Sequence, residues 1–269
     1  MSECSLAELR DKVVQIAREA GAKILDVYDQ NIEVEWKENN TPLTEADRRS
    51  HEYIVSALEQ LQVKYPILSE EGTEIPYEER RLWHRYWLID PLDGTKEFIK
   101  RNGEFTVNIA LIDDGVPVLG VVYAPVLDVL YFASTDIGAY KQIGTEQAIV
   151  IQVCKYQVGD IWRVVASRSH MSEETEGLIN YLGNSELVSM GSSLKLCLVA
   201  EGIAHIYPRL APTSEWDTAA AQCVVEQAGG KVIKPDLSPL TYNSKQSLLN
   251  PPFIACYDVD DVWANYFKK

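Results

Sequence analysis

Tyr86-Trp87-Leu88-Ile89-Asp90-Pro91-Leu92-Asp93-Gly94-Thr95 is the stretch from which the rest of the 269-residue chain can be read. The apolar run at 86–89 reads as a buried strand that the first aspartate ends. Pro91 stiffens the following turn and removes one N–H. Two carboxylates three residues apart then face one point, and the Leu92 carbonyl can point there too. Gly94 lets the backbone come close to a ligand, and a helix opening at Thr95 would offer free N–H groups to an anion. One short segment therefore has the means to hold cations and a phosphate together. All-oxygen donors select hard cations such as Mg²⁺ over zinc.

Working outward, other acids also sit where elements begin or end. Glu70 and Glu71 follow a short strand at 67–69, and Asp217 opens a helix with Ser214 three residues earlier as its cap. Asp47 lies three residues past Thr44, in the first turn of a helix predicted from Thr44 to about Leu61. Taken singly, such acids read as helix caps or solvated loops. Glu70, Glu71, Asp90, Asp93 and Asp217 together at element ends form a pattern, because strand ends and helix starts of layered sheets are where ligand sites form.

The remaining periodicities give a helix over 5–28, with a Ser5/Glu8 capping box, and strands at 105–112 and 116–123 around the Asp113-Asp114-Gly115 turn. Further strands are predicted at 129–133, 149–153, 163–167 and 204–207. Helices are predicted at 173–182, 192–201, 216–228 (stopped by Gly229-Gly230) and 259–267. Mixed strands and helices indicate an α/β or α+β layered fold. The chain divides near residue 150 into an N-terminal α+β half, 1–150, and a C-terminal α/β half, 151–269.

Composition removes several classes. With 25 Lys+Arg against 40 Asp+Glu the formal charge is −15, which argues against a nucleic-acid polymer or a membrane surface as partner. A phosphorylated small molecule is still admissible, because bound metal reverses the local charge. No run reaches the length of a transmembrane segment, and the first residues lack a basic-then-apolar leader. Five scattered cysteines without a C-x-x-C pair predict reduced thiols in a cytoplasmic protein. The four histidines lack zinc-ligand spacing; His51, His84 and His205 read as structural.

Ser69-Glu70-Glu71, the segment 87–95, and Glu215-Trp216-Asp217-Thr218-Ala219-Ala220 with Ala228-Gly229-Gly230 resemble the three signatures of the inositol monophosphatase superfamily, in that family's order. Within it, 93–99, 102–111, Gly191-Ser192-Ser193-Leu194-Lys195 and Tyr207-Pro208-Arg209 are similar to the 3′(2′),5′-bisphosphate nucleotidase branch. The resemblance implies a five-layer α-β-α-β-α sandwich of the inositol monophosphatase/fructose-1,6-bisphosphatase type. It implies two or three Mg²⁺ ions held by Glu70, Asp90, the Leu92 carbonyl, Asp93 and Asp217, with Asp47, Thr95 and Glu70 as catalytic residues. Gly94 and Thr95 N–H groups would hold the scissile phosphate. Ser167, His170, Gly191, Lys195 and Arg209 would meet the nucleotide and its second phosphate.

The implied activity is a phosphatase of sulfur metabolism. It would remove the 3′-phosphate of adenosine 3′,5′-bisphosphate to give AMP and phosphate by metal-activated water attack, would extend to the sulfated analogue, and would be lithium-sensitive. The branch implies a monomer and the wider family a homodimer. Two alternatives stand beside this: an inositol or other sugar-phosphate phosphatase of the same superfamily, and a non-catalytic scaffold or sensor on the same fold.

Overall fold

The computed structural model describes residues 5–30, 34–36, 42–166 and 171–267. Helix α1 (Leu6–Tyr28) opens at the predicted capping box, with Ser5 Oγ and the Glu8 carboxylate each accepting the other residue's backbone N–H. Strands β1 (Val34–Trp36) and β2 (Pro42–Thr44) pair antiparallel and lead into α2 (Glu45–Glu59).

A seven-stranded sheet follows: β3 (Ile67–Ser69), then, after the short helix α3 (Tyr77–Arg80), β4 (Arg85–Asp93), then α4 (Thr95–Ile99), β5 (Thr106–Asp113), β6 (Val116–Ala124), β7 (Val129–Ser134), β8 (Gly138–Ile143) and β9 (Ile149–Val150). These strands lie side by side in sequence order, and only β3 and β4 run parallel.

The second sheet takes β10 (Trp162–Val165), α5 (Glu173–Leu182), β11 (Ser185–Val188), α6 (Leu194–Ala200), β12 (Ile206–Arg209), α7 (Glu215–Gln227), β13 (Lys231–Ile233) and β14 (Phe253–Cys256), and the chain ends in α8 (Asp261–Ala264). Its strand order is β11-β10-β12-β14-β13. The parallel neighbours of β10 are each reached through a helix, as parallel pairing requires.

Three hydrophobic clusters show the layering. On one face of the seven-stranded sheet, Val107, Ile109 and Leu111 pack with Val13, Ala17 and Ile54 of α1 and α2. On its other face, Ala110 and Ile112 pack with α6 and α7, whose far sides meet Tyr207, Phe253 and Ala255 of the second sheet. That sheet turns Val164 and Ile254 toward α5 and α8, through Leu178 and Trp263. The order is therefore α-β-α-β-α, as the resemblance implies. A sheet covered on both faces is apolar on both, so β5 is buried along nearly its whole length rather than alternating in and out.

The seven-stranded sheet and α7 approach closely at Gly120, where an added Cβ would lie 2.2 Å from the Ala220 carbonyl oxygen. No helix among the described residues is long and apolar enough to cross a membrane.

Several expectations are corrected. Strand β4 does not end at Asp90 but resumes through Asp93, because a register break between the two absorbs Pro91 and Leu92. Strand β9 stops at Val150, and α8 is a single turn rather than 259–267. Strands β1, β2, β8, β11, β13 and β14 are additions; most are short, and β11, β13 and β14 pair with strands about twenty or more residues away.

Glu226, near the end of α7, carries a carboxyl pushed up to about 7 by burial, against the hydrogen bond from Gln222 Nε2 at 2.9 Å. A carboxyl raised in the folded state stabilises below its unfolded value of 4.5, and that contribution is lost as pH rises through about 7. Glu226→Gln should therefore gain about 1–2 kcal/mol relative to wild type at pH 8 and nothing at pH 4. Thermal melts across that range provide the check; a Gln variant less stable than wild type at pH 8 would contradict it.

Candidate active site

Each acid of the centre is set by an independent local rule. Ser69 pairs with Ile89 in the parallel β3–β4 ladder, and the Glu70 N–H continues it to the Ile89 carbonyl at 3.2 Å. Glu70 thereby leaves its strand beside Asp90. Asp90 sits where Pro91 interrupts β4, and its Oδ1 accepts the Leu92 N–H at 3.1 Å. Asp217 lies in the first turn of α7, its Oδ2 accepting the Ser214 N–H at 2.9 Å. Three parts of the chain are thus brought to one point: Glu70, Asp90 and Asp217 each offer an oxygen within 4.8 Å of the others.

Asp93 faces the same group. Its Oδ2 accepts the Ser193 N–H at 2.6 Å. Burial, with repulsion from Glu70 and Glu97, pushes its carboxyl up to about 6, while Lys195 pulls it down. Asp90 is raised well above the ordinary carboxylate range by burial and then by Glu70, Asp93 and Asp217; burial and the Asp93 charge do the same to Asp217. The Leu92 side chain is sealed in the apolar core, which leaves only its backbone to face a ligand.

These residues fit a cation. Asp90 Oδ2 is buried and meets no hydrogen-bond donor among the described residues. Buried acids that repel one another and share an unmet lone pair are stabilised by positive charge, and an all-oxygen donor set suits a hard divalent ion.

Asp47 and Thr95 meet, as the resemblance implies. Asp47 is buried; its Oδ2 accepts the Thr44 N–H at 2.7 Å and the Thr44 hydroxyl at 2.6 Å, and its Oδ1 accepts the Thr95 hydroxyl at 3.3 Å. Both carboxylate oxygens of Asp47 are thus occupied by donors. Gly94 has φ +95°, a left-handed conformation suited to glycine, and a Cβ there would lie 3.3 Å from that of Phe105. Helix α4 opens at Thr95 as predicted.

Across the centre, Asp93, Ser192, Lys195, Tyr207, Arg209 and Asp217 enclose a cavity of about 70 Å³. Burial lowers Lys195, while Asp93 pulls it up and the neighbouring Arg209 charge lowers it further. Arg209 Nη2 donates to the Pro212 carbonyl at 3.0 Å, and its Nε is buried with no acceptor among the described residues. Gly191 is pressed against the 94–106 segment: an added Cβ would lie 2.5 Å from the Glu104 carbonyl oxygen. Ser167 and His170 lie outside the described residues.

The sequence reading missed the polar cluster behind Asp93. Ser193 Oγ donates to Asn108 Oδ1 at 2.8 Å and lies 2.8 Å from Thr106 Oγ1, all three being buried. The signal was present, since Thr106 and Asn108 are the polar residues on one face at the start of an otherwise apolar strand. It also missed a cavity of about 700 Å³ beside Glu70, walled by Leu68, Ile75, Trp216 and Leu248.

Five alternating layers with an oxygen-lined acidic centre between the sheets define a class of metal-site α/β proteins. The chain belongs to the inositol monophosphatase family, whose model matches residues 5–262. It is 48% identical over 245 residues to the 3′(2′),5′-bisphosphate nucleotidase CysQ of Escherichia coli K12, covering 90% of this chain and 97% of that one. It is 37% identical to CysQ of Haemophilus influenzae, with 97% of each chain covered. Among solved structures it superposes on CysQ from Bacteroides thetaiotaomicron with a TM-score of 0.83 at 45% identity, covering 96% of this chain and 100% of that one. Extragenic suppressor protein suhB from Bartonella henselae shares the fold, with a TM-score of 0.80 at 24% identity, covering 97% of this chain and 98% of that one.

Proposed function

We propose that this chain is a Mg²⁺-dependent 3′(2′),5′-bisphosphate nucleotidase that removes the 3′-phosphate of adenosine 3′,5′-bisphosphate, leaving AMP and phosphate. The observation that carries the reading is the convergence of Glu70, Asp90 and Asp217 beside a small cavity holding Lys195 and Arg209. The nucleotidase relatives at 37–48% identity support it.

Glu70, Asp90, Asp93, Asp217 and the Leu92 carbonyl would hold the ions. Bound there, divalent metal would offset phosphate charge and lower the pKa of a water. Asp47 accepts the Thr95 hydroxyl through Oδ1. The Thr95 oxygen is then left with lone pairs to orient an incoming water and a route to pass its proton to Asp47. Gly94 and Thr95 N–H groups bind the reacting phosphate. Lys195 and Arg209 supply the charge for the second phosphate, with Gly191 shaping the turn that carries Lys195. Ser167 and His170 are assigned to the nucleotide by resemblance alone.

Two adjacent cations in a cavity of this size favour a second anion over a polyol. Removing the second phosphate from the substrate leaves them unmet, so adenosine 3′,5′-bisphosphate should exceed inositol 1-phosphate by about 10²-fold or more in kcat/KM. A side-by-side phosphate-release assay decides this. Faster hydrolysis of inositol 1-phosphate would transfer the chain to the sugar-phosphate reading. Li⁺ titrated at fixed Mg²⁺ should lower the rate by competing for one ion position. The free thiols Cys154, Cys197, Cys223 and Cys256 support a cytoplasmic setting.

A further inference from the structure

We propose that Ser50 and His51 are positioning residues for the carboxylate centre: Ser50 fixes the peptide between Pro91 and Leu92, and His51 fixes Ser69 and, through it, Glu70. The inference rests on the reading of Glu70, Asp90 and Asp217 as cation ligands and extends it to residues that touch neither metal nor substrate. Asp47, Ser50 and His51 are spaced i, i+3 and i+4, so they share one face of α2. That face meets three separate segments of the centre. Asp47 takes Thr95, Ser50 Oγ donates to the Pro91 carbonyl at 2.7 Å, and His51 Nδ1 lies 2.9 Å from Ser69 Oγ.

The Pro91 carbonyl lies in the register break of β4, where the ladder provides it no partner. Ser50 is fully buried and satisfies it. The same peptide unit gives its Leu92 N–H to Asp90 Oδ1. The peptide plane is thus gripped at both ends, and a grip on Oδ1 leaves Asp90 Oδ2 turned to the cation. Ser69 is gripped likewise: its carbonyl accepts the Gly72 N–H at 3.1 Å and its hydroxyl meets His51, while the next N–H, that of Glu70, is bonded to Ile89. With its preceding residue held on two sides, Glu70 leaves the strand in one direction. One helix therefore sets the relative placement of two ligands that belong to different strands.

The test is calorimetric titration of Mg²⁺ into the full chain without substrate, paired with melting curves in the absence of metal. Ser50→Ala, His51→Ala and Ser69→Ala should each bind Mg²⁺ about 10-fold more weakly than wild type, the size of effect known for groups that orient metal ligands. Combining His51→Ala with Ser69→Ala should weaken binding no further, since both delete one contact. His51→Asn, which keeps a nitrogen near the Nδ1 position, should restore most of the affinity. If His51→Ala fails to fold, Ser69→Ala reads the same bond from its other end. Affinities within about twofold of wild type in Ser50→Ala and Ser69→Ala, with only the metal-free melting temperature lowered, would overturn the proposal, because orienting groups act on affinity. Absence of Mg²⁺ binding by the wild-type chain would instead overturn the reading of the acids as ligands.

Discussion

Asp90→Asn is expected to end phosphate release and, in the absence of metal, to make the protein melt at a higher temperature. The two effects have one origin. Asp90 is 1% exposed, faces the charges of Glu70, Asp93 and Asp217, and carries an oxygen that no donor among the described residues satisfies. Asparagine preserves the side-chain size and the Oδ1 acceptor for the Leu92 N–H. It removes the negative charge that would anchor a cation. Loss of several kcal/mol of transition-state stabilisation corresponds to roughly 10²–10³-fold or more in rate. Without metal the same change relieves uncompensated repulsion, worth about 1–2 kcal/mol, or a rise of roughly 2–8 °C for a chain of this size. Phosphate release and melting curves with and without Mg²⁺ read both signs. An asparagine variant that melts below wild type in the absence of metal would show that the acids do not strain the fold.

Gly120→Ala should produce a large loss of stability. The added carbon would sit 2.2 Å from the Ala220 carbonyl oxygen and 2.8 Å from the Cys223 Cβ, with sheet on one side and helix on the other. Its nearest obstacle is backbone, so α7 itself must move. Overpacking of a core costs about 1–3 kcal/mol when side chains can yield, and here the upper end or beyond is expected, near 10 °C in melting temperature. Protein that still folds should bind Mg²⁺ poorly, since α7 carries Asp217 in its first turn. Differential scanning calorimetry and metal titration test this. A wild-type melting temperature would mean that the sheet and helix are separated by more space than their contact indicates.

Local patterns were readable where local physics decides. The Ser5 and Thr44 caps, the helices after them and the hairpin at Asp113-Asp114-Gly115 follow from residues within one turn of each other. The three acidic signatures were legible as a family pattern, and their meeting was implied by that resemblance alone, not by local physics. It depends on β3 pairing parallel with β4 and on α7 reaching back across the first sheet. Strands β13 and β14 escaped because three or four residues carry little periodicity and their partners come from elsewhere in the chain. Asn108 and Ser193 were passed over for a related reason: a polar residue in an apolar strand gains meaning only once its cross-layer neighbour is known. His51 read as structural and Ser50 carried no signal of its own; their contacts with Ser69 and Pro91 depend on the strands that α2 faces.

The central helical layer has a consequence for the chain as it emerges from the ribosome. The sheet built from residues 67–150 is encoded early, yet one of its faces is covered mainly by helices encoded after residue 193. Until α7 arrives, that face is bare and the nascent chain is at its stickiest, an interval in which a holding chaperone would be of most use. The last of the clustered acids arrives on the same helix, so the electrostatic burden of the catalytic centre is imposed only when the cover that restrains it is already being laid down.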